Sequence, residues 1–112
     1  EVMIREFTVA PQVKPKSGLP YHEWLIEFEV EPINLEKFAL NIDQAMQKKN
    51  IYYDDLIRGN ILRPLIIKKV MKDGFQNYMK SIGKLGGQNK IPRVSDNRKI
   101  ANALTPFLSS IK

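Results

Sequence analysis

The sequence predicts an α+β fold: a small two-layer domain in which a sheet of three to four strands is covered by helices. Three observations predict it. Residues 21–30 alternate with a period of two, residues 35–46 carry apolar side chains at helical spacing, and strand-like and helix-like stretches are interleaved as β-β-α-(α)-β-α-loop-α. At 112 residues and 43% hydrophobic, the chain suits one domain (residues 1–112) able to bury a single core without staples.

Residues 2–13 mix β-branched and aromatic side chains with Arg5, Glu6 and Thr8, a strand that ends near Pro11. The connector from Lys14 to Pro20 is rich in turn residues and too short for a parallel crossover, so the second strand pairs antiparallel with the first. In that second strand His22, Trp24, Ile26, Phe28 and Val30 share an apolar face, and Tyr21, Glu23, Leu25, Glu27 and Glu29 share the other. We expect the glutamate face to be solvated, although its spacings also suit general acid/base work. His22, at the mouth of the apolar face, reads as a partly buried, hydrogen-bonded structural residue.

A helix follows with Asn34 as N-cap and Ile33 and Phe38 as a hydrophobic staple. Leu35, Phe38, Ala39, Ile42 and Met46 form its apolar stripe, with Glu36, Lys37, Asp43, Gln47 and Lys48 opposite. Asn50, Tyr52 and Tyr53 open a shorter helix that Gly59 and Asn60 end. Leu65 to Val70 reads as a third strand. Asp73 and Gln76 form the signature of a capping box, and Phe75, Tyr78, Met79 and Ile82 form the buried stripe of a helix that Gly83 terminates. A last helix is expected from Ser95 or Asp96 through Ile100, Leu104, Leu108 and Ile111, irregular at Pro106.

Composition excludes several chemistries. The chain has no cysteine and one histidine, so disulfides, thiolate metal sites, histidine-based metal sites and a Ser/His triad are not expected. No apolar run approaches the ~20 residues a membrane span needs, and no signal-peptide pattern is present, so a cytoplasmic, non-membrane protein is expected. The chain begins at Glu1 rather than a methionine, which suggests a piece of something larger. Its net charge of +6 hides an asymmetry: residues 1–57 hold six Lys/Arg against ten Asp/Glu, and residues 58–112 hold twelve against two. The basic half favours an anionic partner, such as a phosphate, a nucleotide, nucleic acid or an acidic protein face.

The stretch from Gly83 to Arg93 is where such contact is expected. It holds three glycines, three cations (Lys84, Lys90, Arg93) and one proline in eleven residues. Gly83, Gly86 and Gly87 permit positive φ and close approach, Pro92 biases Ile91 toward an extended backbone, and the stretch has too few apolar residues to build a core. The plain reading is a helix-ending glycine followed by a solvated basic linker.

Three segments in order, Gly18-Leu-Pro-Tyr-His-Glu-Trp-Leu-Ile-Glu-Phe28, Asp73-Gly-Phe-Gln-Asn-Tyr78 and Gly86-Gly-Gln-Asn-Lys-Ile-Pro-Arg93, carry a resemblance over roughly residues 7–110. The chain resembles the C-terminal domain of the Gretchen Hagen auxin-responsive promoter family of acyl-acid amido synthetases, bacterial type, within the acyl-adenylate-forming superfamily. The resemblance implies a small domain that closes over a large N-terminal domain binding ATP and a carboxylic acid. It also implies Mg²⁺ accompanying the ATP, an acyl-adenylate intermediate, and transfer of the acyl group to an amine acceptor such as an amino acid. The family's Lys-x-Pro-Arg motif is matched by Lys90, Pro92 and Arg93, so the resemblance places the phosphate-contacting lysine at Lys90. Lys84, Arg93, Gly86 and Gly87 are then nucleotide, phosphate or interdomain contacts. The chain has no P-loop pattern and no magnesium-ligand cluster, and alone it is not expected to turn over substrate.

Two other readings compete. A basic α+β domain with exposed aromatics is a familiar arrangement for a stand-alone nucleic-acid-binding module, although the aromatics of residues 21–30 lie on the apolar face and no RNA-binding signature is present. A protein-interaction domain docking on an acidic partner is the third. It overlaps with a domain that closes on its own N-terminal partner.

Overall fold

In the computed structural model, residues 1–84 and 90–109 are described. The α+β class is as the sequence predicts. Three strands lie in the order β1-β2-β3, with β1 at Met3–Gln12, β2 at Tyr21–Val30 and β3 at Ile66–Lys69. The central strand β2 pairs antiparallel with β1 and parallel with β3. That parallel pair requires a crossover, which α1 (Leu35–Lys49) and α2 (Ile51–Arg58) supply. After β3 come α3 (Gly74–Ser81), α4 (Lys99–Ala103) and a 3₁₀ turn at Thr105–Phe107.

The helices divide over both faces of the sheet. On one face Ile26 and Ile67 pack with Ala39 and Leu65, joined by Phe7, Trp24, Phe28, Phe38, Ile42 and Met46. On the other, Ala10 and Leu25 pack with Phe75, Tyr78, Met79, Ile91, Ala101 and Leu104. The glutamate face of β2 is therefore not solvated as expected. Glu23 and Glu27 are 5% and 2% exposed, and only Glu29 stands in solvent. Leu25, between them on the same face, draws α3 and α4 onto it.

Buried carboxylates require partners. Glu27 accepts hydrogen bonds from the Asp73 N–H at 2.8 Å and the Phe75 N–H at 3.3 Å, and pairs with Arg5 at 3.1 Å. A strand carboxylate thus occupies the N-terminus of α3, where the helix dipole favours an anion. This replaces the expected capping box. Asp73 is left-handed at φ 63° and makes no cap hydrogen bond; its Oδ1 accepts from Arg5 at 2.7 Å instead. The two carboxylates hold the Arg5 guanidinium even more firmly in its charged form, raising its pKa chiefly through the Asp73 hydrogen bond.

Asp43 corrects the reading of α1, since it lies inside rather than opposite the apolar stripe. It is 1% exposed and accepts from the Tyr53 hydroxyl, from the Leu65 N–H at 3.0 Å and from Gln47 Nε2 at 2.7 Å. One carboxylate thereby joins α1, α2 and the entry to β3. Asn34 caps α1 as expected, accepting from the Lys37 N–H, and Asn50 caps α2 through the Tyr52 and Tyr53 N–H groups. The Ile33–Phe38 staple does not form: Ile33 is fully exposed, and Phe38 packs edge-on against Phe28. Ile82 is exposed rather than part of the α3 stripe.

The last helix is shorter than expected. Ser95 donates its N–H to the Val9 carbonyl, which draws that residue to the sheet edge, and Pro106 has no N–H to continue a helix beyond α4. The chain turns instead and Leu108 bridges to Val70. Ile111 lies outside the described residues. Among the described residues no helix is long and apolar enough to cross a membrane.

Gly74 marks the tightest approach of α3 to its surroundings. A Cβ there would overlap Val70 Cγ1 and lie 3.1 Å from the Phe107 carbonyl oxygen. Val70 is buried and branched at Cβ, so it has little room to turn away. Gly74→Ala is expected to destabilise the fold by about 1–3 kcal/mol, the usual cost of overpacking, measured by urea unfolding. An unchanged midpoint would show that this packing relaxes freely.

Candidate functional site

The Gly83–Arg93 stretch is anchored at both ends. At its start Gly83, just past the Ile82 cap of α3, turns the chain at a φ of +73° that suits glycine, and the Lys84 N–H donates to the Met79 carbonyl at 2.8 Å. At its end the chain is strapped to the outer edge of β1. The Pro92 carbonyl accepts from Thr8 Oγ1 at 2.7 Å, the Arg93 carbonyl accepts from the Val9 N–H at 2.8 Å, and the Val9 carbonyl accepts from the Ser95 N–H at 2.9 Å. This is a short parallel bridge between Val9 and Val94. Ile91, expected in a segment unable to contribute to a core, is 7% exposed and packs with Ala10 and Leu25.

The cations predicted here separate into two kinds. Arg93 is engaged: its Nη1 pairs with Glu6 and its guanidinium lies 4.9 Å from the centre of the Phe7 ring. Phe7 in turn stacks on Trp24 at 5.7 Å, so Arg93 closes an aromatic pile. Lys84 and Lys90 are exposed and make no ion pair or side-chain hydrogen bond among the described residues. They bracket residues 85–89. Gly86 and Gly87, expected to line the contact, lie outside the described residues.

Part of the charge asymmetry is internal neutralisation. Arg93 pairs with Glu6, Arg98 with Glu23 and Lys69 with Glu31, each joining the basic half to the acidic half. Among the described residues, Lys68, Lys72, Lys80, Lys84, Lys90 and Lys99 stand without such partners. Lys68, Lys80 and Lys90 each adjoin a buried residue, Ile67, Met79 and Ile91; of the three only Lys90 lies in the Gly83–Arg93 stretch, where its exposed charge stands beside a backbone tied to β1. Among the described residues no group of three His, Cys, Asp or Glu side chains is placed to hold a metal ion.

His22 lies at a second cluster. Its ring stacks on Tyr53 at 5.4 Å, and among the described residues the expected hydrogen bond of its side chain is not found; Tyr53 reaches Asp43. Burial, then the Asp43 hydrogen bond, push the Tyr53 hydroxyl well above its ordinary value. Burial lowers His22 from the usual 6.5, with the Asp43 charge opposing. The unfolded chain therefore binds the imidazole proton more tightly, and folding stability is lost as pH falls through about 6.5. His22→Phe, which keeps the ring contact, is expected to flatten unfolding free energy against pH from about 7 down to the onset of carboxylate titration. An equal slope in both proteins would assign it to other groups.

A three-stranded mixed sheet with helices on both faces is a fold this chain shares with solved acyl acid amido synthetases. The chain is similar to the solved structure of the GH3.15 acyl acid amido synthetase, with a TM-score of 0.74 and 19% identity over 97% of this chain and 20% of that one. It is likewise similar to the AtGH3.15 acyl acid amido synthetase in complex with 2,4-DB, with a TM-score of 0.70 and 21% identity over 97% of this chain and 21% of that one. Residues 1–99 match the GH3 family C-terminal domain, and the chain belongs to that family. No curated protein matches it. The chain spans about a fifth of the length of the synthetases it resembles.

Thr8 holds this stretch directly through Pro92, Glu23 and Arg98 tie α4 to the sheet, Glu27 holds the start of α3 and Asp43 organises the His22 cluster; sequence reasoning singles out none of these roles. Arg98 donates to Glu23 at 2.7 Å and to the Pro11 carbonyl at 3.1 Å, fixing the start of α4 against β1 and β2. Asp43 had a legible signal: it follows Ala39 by one helical turn and adjoins Ile42.

Proposed function

We propose that this chain acts as the C-terminal domain of an ATP-dependent acyl-adenylating ligase, closing over an N-terminal domain of the same polypeptide and presenting Lys90 to the nucleotide. In the first step a carboxylate oxygen of the acid attacks the α-phosphorus of ATP. That P–O bond forms as the bond to the bridging oxygen breaks, giving acyl-AMP and pyrophosphate. An amine nitrogen then attacks the acyl carbon to form an amide and release AMP.

The observation that carries this reading is the combination at Lys90: an exposed ammonium without a partner among the described residues, adjoining the buried Ile91, in a chain of the GH3 family. Negative charge accumulates on the phosphoryl oxygens during attack, and a preorganised cation stabilises it more than it stabilises the ground state. A lysine on a domain that closes and opens supplies this contact when the site is sealed and withdraws it for release. Mg²⁺ would supply charge neutralisation on the phosphates of ATP; among the described residues no carboxylate cluster is placed to hold it, and on this reading residues of the N-terminal domain would. Arg93 is engaged within its own domain by Glu6 and the Phe7 ring, and Lys84 is the exposed cation at the opposite end of residues 85–89.

The test is acid-dependent ATP–pyrophosphate exchange by the full-length polypeptide across a panel of aromatic and aliphatic carboxylic acids. Exchange that requires both ATP and one class of acid is the expected result. Absence of exchange with every acid, together with salt-sensitive binding of an oligonucleotide, would replace this reading with a nucleic-acid-binding one.

A further inference from the structure

The backbone that carries Lys90 is held by the residues that follow it. Pro92 has no N–H, so at that residue the strap is attached through its carbonyl alone. The donor is Thr8 Oγ1 at 2.7 Å, from a side chain 84 residues earlier and 1% exposed. Beyond it, Val9 exchanges hydrogen bonds with Arg93 and Ser95. Thr8 is thus the hydrogen-bonding group nearest to Lys90 on this side, acting two residues from it. On the other side of the strap, Arg93 is fixed by Glu6 and by the Phe7 face. A register shift in β1 between Ile4 and Glu6 accompanies this arrangement, in keeping with the way bulges re-aim side chains.

We propose that Thr8 is a positioning residue for Lys90, an inference that rests on the phosphate-contacting reading of Lys90 given above. A lysine has four rotatable carbons between its ammonium and its backbone, so its reach is set by a fixed base. When that base shifts by about 1 Å, a catalytic contact loses up to 100-fold. The Thr8 hydroxyl sets the base. It holds the Pro92 carbonyl, while Ile91 enters the core beside Ala10, the next residue but one on the Thr8 strand. Valine at position 8 retains the branched shape of threonine and removes only this bond, leaving the Pro92 carbonyl without its donor.

The test uses the full-length polypeptide carrying Thr8→Val, Thr8→Ser, Lys90→Ala, or Thr8→Val with Lys90→Ala. ATP–pyrophosphate exchange is measured with the acid that gives the fastest exchange in the panel. Thr8→Val is expected to lower the exchange rate about 10-fold with the KM for ATP nearly unchanged, and Thr8→Ser to restore it. In the Lys90→Ala background Thr8→Val is expected to cause no further loss, because its effect passes through the lysine. Amide hydrogen exchange supplies a readout without turnover: Thr8→Val is expected to speed exchange in a peptide spanning residues 90–95 and not in one spanning α1. Equal losses in both backgrounds, or faster exchange in both peptides, would make Thr8 an ordinary contributor to stability and overturn the inference. So would full activity of Thr8→Val. Full activity of Lys90→Ala is a separate result that removes the underlying reading of the lysine, and the inference with it.

Discussion

Lys90→Ala in the full-length polypeptide is expected to lower acid-dependent ATP–pyrophosphate exchange by about 100-fold, the scale on which a preorganised electrostatic contact acts in a sealed site. The loss is expected in kcat and kcat/KM alike, because an interaction made mainly in the transition state contributes little to ground-state binding. Lys84→Ala is expected to lose less than about 10-fold. Lys84 follows the terminal turn of α3 and is tied by its N–H to Met79, whereas Lys90 precedes the buried Ile91 and the Thr8-held strap. Lys90→Arg keeps the charge but changes its shape and reach, so partial recovery is expected. The assay compares all three variants under one set of conditions. A larger loss at Lys84 would exchange the roles of the two lysines.

Arg98→Ala is expected to destabilise the 112-residue chain by about 3 kcal/mol, the lower end of the range for breaking a buried ion pair. Glu23 is 6% exposed at its side chain and Arg98 23%, so truncation leaves a carboxylate inside the domain with little access to water. The Pro11 carbonyl loses its donor at the same time. Attraction within the pair is not the main source of the effect, since the desolvation of both charges offsets most of it. The double variant Glu23→Leu with Arg98→Met is therefore expected to recover most of the lost stability. Urea denaturation of the single and double variants decides this: a double variant as unstable as Arg98→Ala would place the cost in packing rather than in a stranded charge.

The elements most legible in the sequence are those whose signals are local. The ten-residue alternation of β2, the Asn34 cap, the start of α2 at Asn50 and the glycine that follows α3 each depend on neighbours within one or two turns, and each is found where the sequence predicts it. What was not legible depends on partners far along the chain. A row of glutamates alternating with aromatic or apolar residues looks the same whether water or a helix covers it. Glu27 is settled by the N-terminus of α3, 46 residues away, and Glu23 by Arg98, 75 residues away. The parallel pairing of β3 follows from the crossover through α1 and α2, which no pattern within Leu65–Val70 encodes. In the candidate site the chemistry of Lys90 and Arg93 was visible as charge beside Pro92. Their division into a free cation and an engaged one was not, because it depends on Glu6 and Phe7 at the opposite end of the chain.

The measurement that bears most directly on the central claim is a crystal structure of the full-length polypeptide with α,β-methylene-ATP and the acid that drives exchange. That analogue keeps the α-phosphate and cannot release pyrophosphate. The account predicts the domain closed over the nucleotide with Lys90 Nζ about 2.8 Å from an α-phosphate oxygen, the length of a charge-assisted hydrogen bond. It also predicts the Thr8 bond to the Pro92 carbonyl intact. A closed complex in which Lys90 points into solvent while another cation meets the α-phosphate would contradict it.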